Sequence, residues 1–79
     1  MNLYLLQQDD NFGYDTYDSC VVVANSPEEA KLITPDGNGF DSMFRVWANN
    51  PSGVAITYLG TADDSLKLGE VICASFNAG

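Results

Sequence analysis

The stretch Asp18-Ser19-Cys20-Val21-Val22-Val23-Ala24-Asn25, followed at once by Ser26-Pro27-Glu28-Glu29, decides the fold. The unbroken run from Cys20 to Ala24 places apolar side chains on both faces of an extended chain, so 18–25 reads as a central strand. Ser26 can cap free amide hydrogens, Pro27 suits the first helical position, and Glu29 can reach back as the third residue of a capping box. A short helix is expected from Pro27 through Ala30, Leu32 and Ile33. Pro35 stops it by pushing Thr34 toward extended geometry. Ala30 and Ile33, three apart, should face the sheet.

Working outward, residues 2–8 read as a first strand, with Leu3 and Leu5 on one face and Tyr4 and Leu6 on the other. The segment 35–42 is a loop by composition, and 49–53 is a second turn cluster. Residues 43–48, Met-Phe-Arg-Val-Trp-Ala, fit a short strand or a turn of helix equally well. Residues 54–60 and 69–76 read as two more strands joined by an acidic loop. The expected architecture is a single α+β domain over 1–79, a mainly antiparallel sheet of about four to five strands with one short helix packed on one face. Monomer and dimer both stay open.

A chain of 79 residues with 46% hydrophobic content supports one small core. Its first six residues are apolar but lack a positive n-region and run into Gln7-Gln8-Asp9-Asp10, so no signal peptide is expected. The run Cys20 to Ala24 is too short to cross a bilayer, and a soluble, cytoplasmic protein is expected. Eleven acidic residues against three basic ones leave a net charge of −8. That charge argues against anionic membranes and against nucleic acid as a direct ligand. Cys20 and Cys73 both fall in apolar strands and are expected to be buried free thiols, with a disulfide open only if their strands are neighbours.

Catalytic chemistry finds little footing. The chain has no histidine and no Gly-x-Ser-x-Gly serine. Asp15 with Asp18, or Asp63 with Asp64, would supply a carboxylate pair for glycoside hydrolysis, but so small a core can hardly frame a sugar cleft. Asp9-x-Asn11-x-Gly13-x-Asp15 superficially resembles a calcium loop. The glycine, however, stands at its fifth position rather than its sixth, and the twelfth is Cys20 instead of glutamate. The expectation is a binding protein, not an enzyme, with no cofactor and no metal.

The carboxylates then divide by what folding asks of them. Glu28 and Glu29 suit the first helical turn. Asp36, Asp63 and Asp64 suit turns, and with Asp41 they form a secondary set of candidate partner-binding residues. The primary set is Asp9, Asp10, Tyr14, Asp15, Tyr17 and Asp18, since no cation lies in that segment and alternate residues of an extended chain sit about 6.7 Å apart, able to form a row of charge. Such a row matches a basic groove built for a phosphate backbone, and the tyrosines add contact area. Trp47 and Phe76 are expected in the core. Arg45 is expected to pair with a loop aspartate.

The opening Met-Asn-Leu-Tyr-Leu-Leu, the segment Tyr14-Asp15-Thr16-Tyr17-Asp18-Ser19 leading into Cys20-Val21-Val22-Val23-Ala24, the helix start Ser26-x-Glu28-Glu29-Ala30 and the closing Ala74-Ser75-Phe76-Asn77-Ala78-Gly79 together resemble a family of small acidic phage and prophage proteins. The chain is similar in particular to type I-C anti-CRISPR proteins of the DNA-mimic kind. That resemblance implies a phage-encoded inhibitor working in the bacterial host cytoplasm, whose partner is the basic DNA-binding surface of the Cascade complex, near the site that reads the PAM. An inhibitor of another host DNA-binding protein (a restriction enzyme, nuclease or repressor) and a structural phage component fit the same acidic composition.

Overall fold

A computed structural model describes residues 1–41, 43 and 45–77. Strands β1 (Asn2–Gln8), β2 (Thr16–Ala24), β3 (Val54–Thr61) and β4 (Val71–Asn77) form one antiparallel sheet in the order β3-β1-β2-β4. The valine-rich strand is therefore interior, as its two apolar faces require. Helix α1 (Pro27–Ala30) follows β2, and a 3-10 turn, Pro51–Gly53, leads into β3. The fold is α+β with a minimal helix.

Period-two alternation builds the main core. Tyr4 and Leu6 of β1, Cys20, Val22 and Ala24 of β2, and Val54 of β3 form one buried cluster, closed from above by Ala30, Trp47 and Ala48. Ile33 and Phe40 pack against it. The residues between 34 and 50 therefore do as much to cover the sheet as the helix does. On the opposite face Leu5, Val21, Thr57 and Cys73 stand in one row across the strands, and Leu5 and Val21 are half-buried.

Ser26 caps α1 as expected, its Oγ accepting from Glu29 N–H at 3.2 Å. The helix is shorter than the expected run to Ile33. After Ala30 the amides of Leu32 and Ile33 donate three residues back, to Glu29 and Ala30 carbonyls at 3.2 and 3.0 Å, so the chain tightens into 3-10 geometry before Pro35. Ile33 still reaches the core, while Leu32 is exposed. The stretch 43–48 lies partly outside the described residues, and its described members, 43 and 45–48, belong to neither strand nor helix.

Two burial expectations are corrected at β4. Cys73 is exposed, and Phe76 is 46% exposed although its ring lies 4.8 Å from that of Tyr17. Both follow from the strand order, because among the described residues β4 is a border strand with β2 on one side only. The cysteine strands are neighbours, yet Cys20 pairs with Ala74 and Cys73 with Val21. Consecutive strand positions face opposite ways, so the two thiols look to opposite sides of the sheet and stay unlinked.

Burial pushes the Cys20 thiol from 9.0 up to about 12, and nearby Cys73 adds to the shift. A folded pKa above the unfolded one means stability is fully present below the unfolded value and lost as pH rises toward the folded one. Each pH unit crossed between about 9 and about 12 should remove about 1.4 kcal/mol, readable by urea titration at a series of pH values. Iodoacetamide at neutral pH should label Cys73 alone in the folded protein and both thiols in urea.

Candidate functional site

The connection from β1 to β2 carries the densest charge, and one amide fixes its path. Gln8 continues the Tyr4, Leu6 alternation onto the core face, where it is buried. Its Nε2 donates to the carbonyls of Asn11 at 2.7 Å and Tyr17 at 2.8 Å, and its Oε1 accepts from the amides of Asp10 at 2.9 Å and Asn11 at 2.8 Å. A glutamine has two donors and room for two acceptances, so every valence is used. Both ends of the loop are thereby tied to one side chain.

Asn11 extends the anchoring to the cover, its Nδ2 donating to the carbonyls of Arg45 at 2.7 Å and Trp47 at 3.0 Å. Tyr17 N–H donates to Val46 carbonyl at 2.7 Å. Thr16 Oγ1 closes the turn on Gly13 carbonyl at 2.8 Å. Asp15 sits in left-handed backbone, φ 62, and its N–H donates to Asn77 carbonyl at 2.6 Å. Aspartate tolerates that conformation better than most residues.

Against this frame the primary candidates separate. The Asp10 carboxylate accepts from Asn49 N–H at 2.9 Å, and a Cβ at Gly53 would stand 2.9 Å from its Oδ2, so Asp10 helps to hold the 49–53 turn and needs glycine opposite. Tyr17 is half-buried against the core instead of projecting. Asp9, Asp15 and Asp18 are exposed, and their side chains make no hydrogen bond or ion pair with any described residue. Phe12 and Tyr14, at 79% and 78% exposed, stand out beside them. Asp9 and Asp18 share an open depression of about 490 Å³ with Gln7, Phe12, Ser19 and Ala55. Asp18 comes to that rim because the β2–β4 register slips between Tyr17 and Ser19, leaving it as the extra residue of a bulge.

The secondary candidates are each in their own turn or loop. Asp36 accepts from Asn38 N–H and Nδ2, both at 3.2 Å, in a local turn. Asp41 is exposed. Asp63 accepts from Ser65 N–H at 2.8 Å, and that bond holds its carboxyl below the usual range. Asp63 and Asp64 follow β3 where Thr61 pairs with Asn2, while the 9–18 segment leaves β1 from Gln8. Seven residues of β1 separate these ends, about 20 Å. Asp63 and Asp64 thus lie at the pole opposite the 9–18 segment, while Asp36 lines a pocket with Arg45, Val46 and Trp47, whose carbonyls hold Asn11 and Tyr17. Arg45 forms no ion pair with the loop among the described residues, contributing its carbonyl instead.

Chemically the 9–18 pole offers acceptors, charge and two aromatic surfaces. Among the described residues no three His, Cys, Asp or Glu side chains converge as a metal centre requires. Gln8, Asn11 and Phe12 are the functional-end residues that the charge-based reading passed over. Gln8 had a signal, since it stands at the next core-facing position after Tyr4 and Leu6. Comparison with protein-family models, curated proteins and solved structures finds nothing that matches this chain.

Replacing Gln8 by Glu keeps the shape but turns the donor that meets two carbonyls into an acceptor. Gln8→Glu should cost about 2–3 kcal/mol in urea unfolding at neutral pH. Part of that loss should return in mild acid, where the protonated carboxyl recovers one donor, whereas Gln8→Ala should show no such recovery.

Proposed function

We propose that the protein is a binding inhibitor whose Asp9–Asp18 pole docks on the basic, phosphate-binding surface of a host DNA-binding complex and excludes duplex DNA from it. The observation that carries this reading is the set of exposed carboxylates Asp9, Asp15 and Asp18, unpaired among the described residues, on a segment whose backbone is anchored by Gln8 and Asn11. The segment is turned rather than extended between Asp10 and Asp15, so the charges form a cluster and not a straight row. Charges on an anchored backbone lose little freedom on binding, so their Coulomb attraction to Lys and Arg is retained as affinity. Phe12 and Tyr14 add apolar and hydroxyl contact beside the charges. Of the described residues no helix is long and apolar enough to cross a membrane, and the proposed site of action is the cytoplasm of a bacterial host. The resemblance to type I-C anti-CRISPR proteins names Cascade, at its PAM-reading region, as the first target to test.

The test is binding to purified type I-C Cascade, with a restriction enzyme, a nuclease and a repressor as further targets. Affinity should fall steeply with salt, because the attraction is between exposed charges. Asp9→Asn, Asp15→Asn and Asp18→Asn combined should weaken binding by about tenfold or more, with Asp63→Asn plus Asp64→Asn leaving it unchanged. Asn also tolerates the left-handed backbone at 15, so the loop should keep its shape. Affinity that is flat with salt and indifferent to the triple neutralisation would refute the proposal.

A further inference from the structure

The cover begins with two reactive dipeptides side by side. Asp36-Gly37 and Asn38-Gly39 are the chain's one Asp-Gly and one Asn-Gly sequence. Glycine has no Cβ to shield its amide nitrogen, so that nitrogen is the backbone nucleophile best able to attack the side-chain carbonyl carbon of the residue before it. The fold asks for glycine at both places, because each lies in left-handed backbone, φ 75 at Gly37 and φ 77 at Gly39. A Cβ at either would meet nothing within 4 Å among the described residues, and Asn38 and Gly39 are exposed. Water and hydroxide therefore reach the site.

One buried residue holds both glycine amides. Thr34, 3% exposed, accepts the Gly37 N–H on its carbonyl oxygen at 3.0 Å and the Gly39 N–H on its Oγ1 at 2.9 Å. The Asn38 side chain is committed in its turn, since its Nδ2 donates to Asp36 Oδ2 at 3.2 Å. An amide nitrogen attacks only after giving up its proton, and a proton held on a buried hydroxyl oxygen is harder for hydroxide to remove. Nucleophile and electrophile are thus restrained by separate partners.

We propose that Asn38 is a self-modifying site kept closed by the Thr34 hydroxyl. When the Gly39 N–H leaves Oγ1, hydroxide takes its proton, the nitrogen forms a bond to Cγ of Asn38, and the side-chain nitrogen leaves as ammonia with a proton from water. The product is a succinimide. Water then opens that ring at either carbonyl, leaving aspartate or its β-linked isomer at position 38 with no change of oxidation state. A carboxylate now faces Asp36 where an amide donor stood, so the attraction across the turn becomes repulsion and the turn does not close again. Asp36 and Thr34 line the same pocket as Trp47, whose carbonyl holds Asn11, so the modification falls on the cover. It is independent of the docking role given to the 9–18 pole.

Incubation of the folded full chain at mildly alkaline pH, with peptide mapping by mass spectrometry for exchange of NH2 by OH at position 38, tests this. Thr34→Val keeps the size of the side chain, removes the acceptor of Gly39 N–H, and should speed the loss of Asn38 about tenfold, the worth of one such hydrogen bond. Isomerisation at Asp36 should not change, because the Gly37 bond runs to a backbone carbonyl. Thr34→Ser, which retains a hydroxyl, should match the unaltered protein. Loss of Asn38 as fast in the folded protein as in urea, a Thr34→Val rate equal to that of the unaltered protein, or a Thr34→Ser rate equal to that of Thr34→Val overturns the proposal. If Thr34→Val unfolds by circular dichroism, amide hydrogen exchange of the unaltered protein decides. The Gly39 N–H should exchange at least about tenfold more slowly than in urea, and exchange at the unfolded rate overturns the proposal as well.

Discussion

The buried amide of Gln8 is the constraint on which the functional end of the molecule depends. A buried amide without partners costs about 1–3 kcal/mol for each orphaned group, a large share of what a small domain has in reserve. Here the four backbone groups that satisfy it come from Asp10, Asn11 and Tyr17, so the loop can adopt few other paths without orphaning the glutamine. Asn11 then ties the same loop to the cover that holds Trp47 over the core. Core, cover and acidic loop are in that sense one assembly, and the charges outside it inherit its rigidity.

That assembly explains why the acidic residues are unequal. Asp10 is drawn into the 49–53 turn, Asp36 and Asp63 cap their own turns, and Glu28 and Glu29 lie in the first turn of α1. Removing these from the count leaves the net charge as it is but relocates its meaning. Asp9, Asp15 and Asp18 have no such duty among the described residues, and they occur together at one end of the sheet. Charge that folding does not use, held on a fixed backbone beside exposed aromatics, is the physical content of the proposed docking surface.

Much of the fold was legible because its signals are local. The two-faced apolar run of β2, the alternation in β1 and the cap at Ser26 depend on neighbours in the chain, and each appears where the residues indicate. Strand order does not have a local signature. The run Val71-Ile72-Cys73-Ala74 looks as buried as Val21-Val22-Val23-Ala24, yet one borders solvent and the other lies inside, and so Cys73 and Phe76 came out exposed. The site was half legible for a related reason. Composition located the segment 9–18, but which of its carboxylates are occupied depends on Asn49 and Gly53, some forty residues away. The place of Asp18 on the rim likewise depends on a register slip against β4.

A residue-resolved map tests the acidic pole directly. The decisive measurement is amide chemical-shift perturbation of the labelled protein on adding an arginine-rich peptide at low salt. Shifts concentrated at Asp9, Phe12 to Asp15 and Asp18, and erased by salt, are the result predicted by an anchored acidic pole. Shifts centred on Asp63 and Asp64, or spread evenly over all carboxylates, would contradict it.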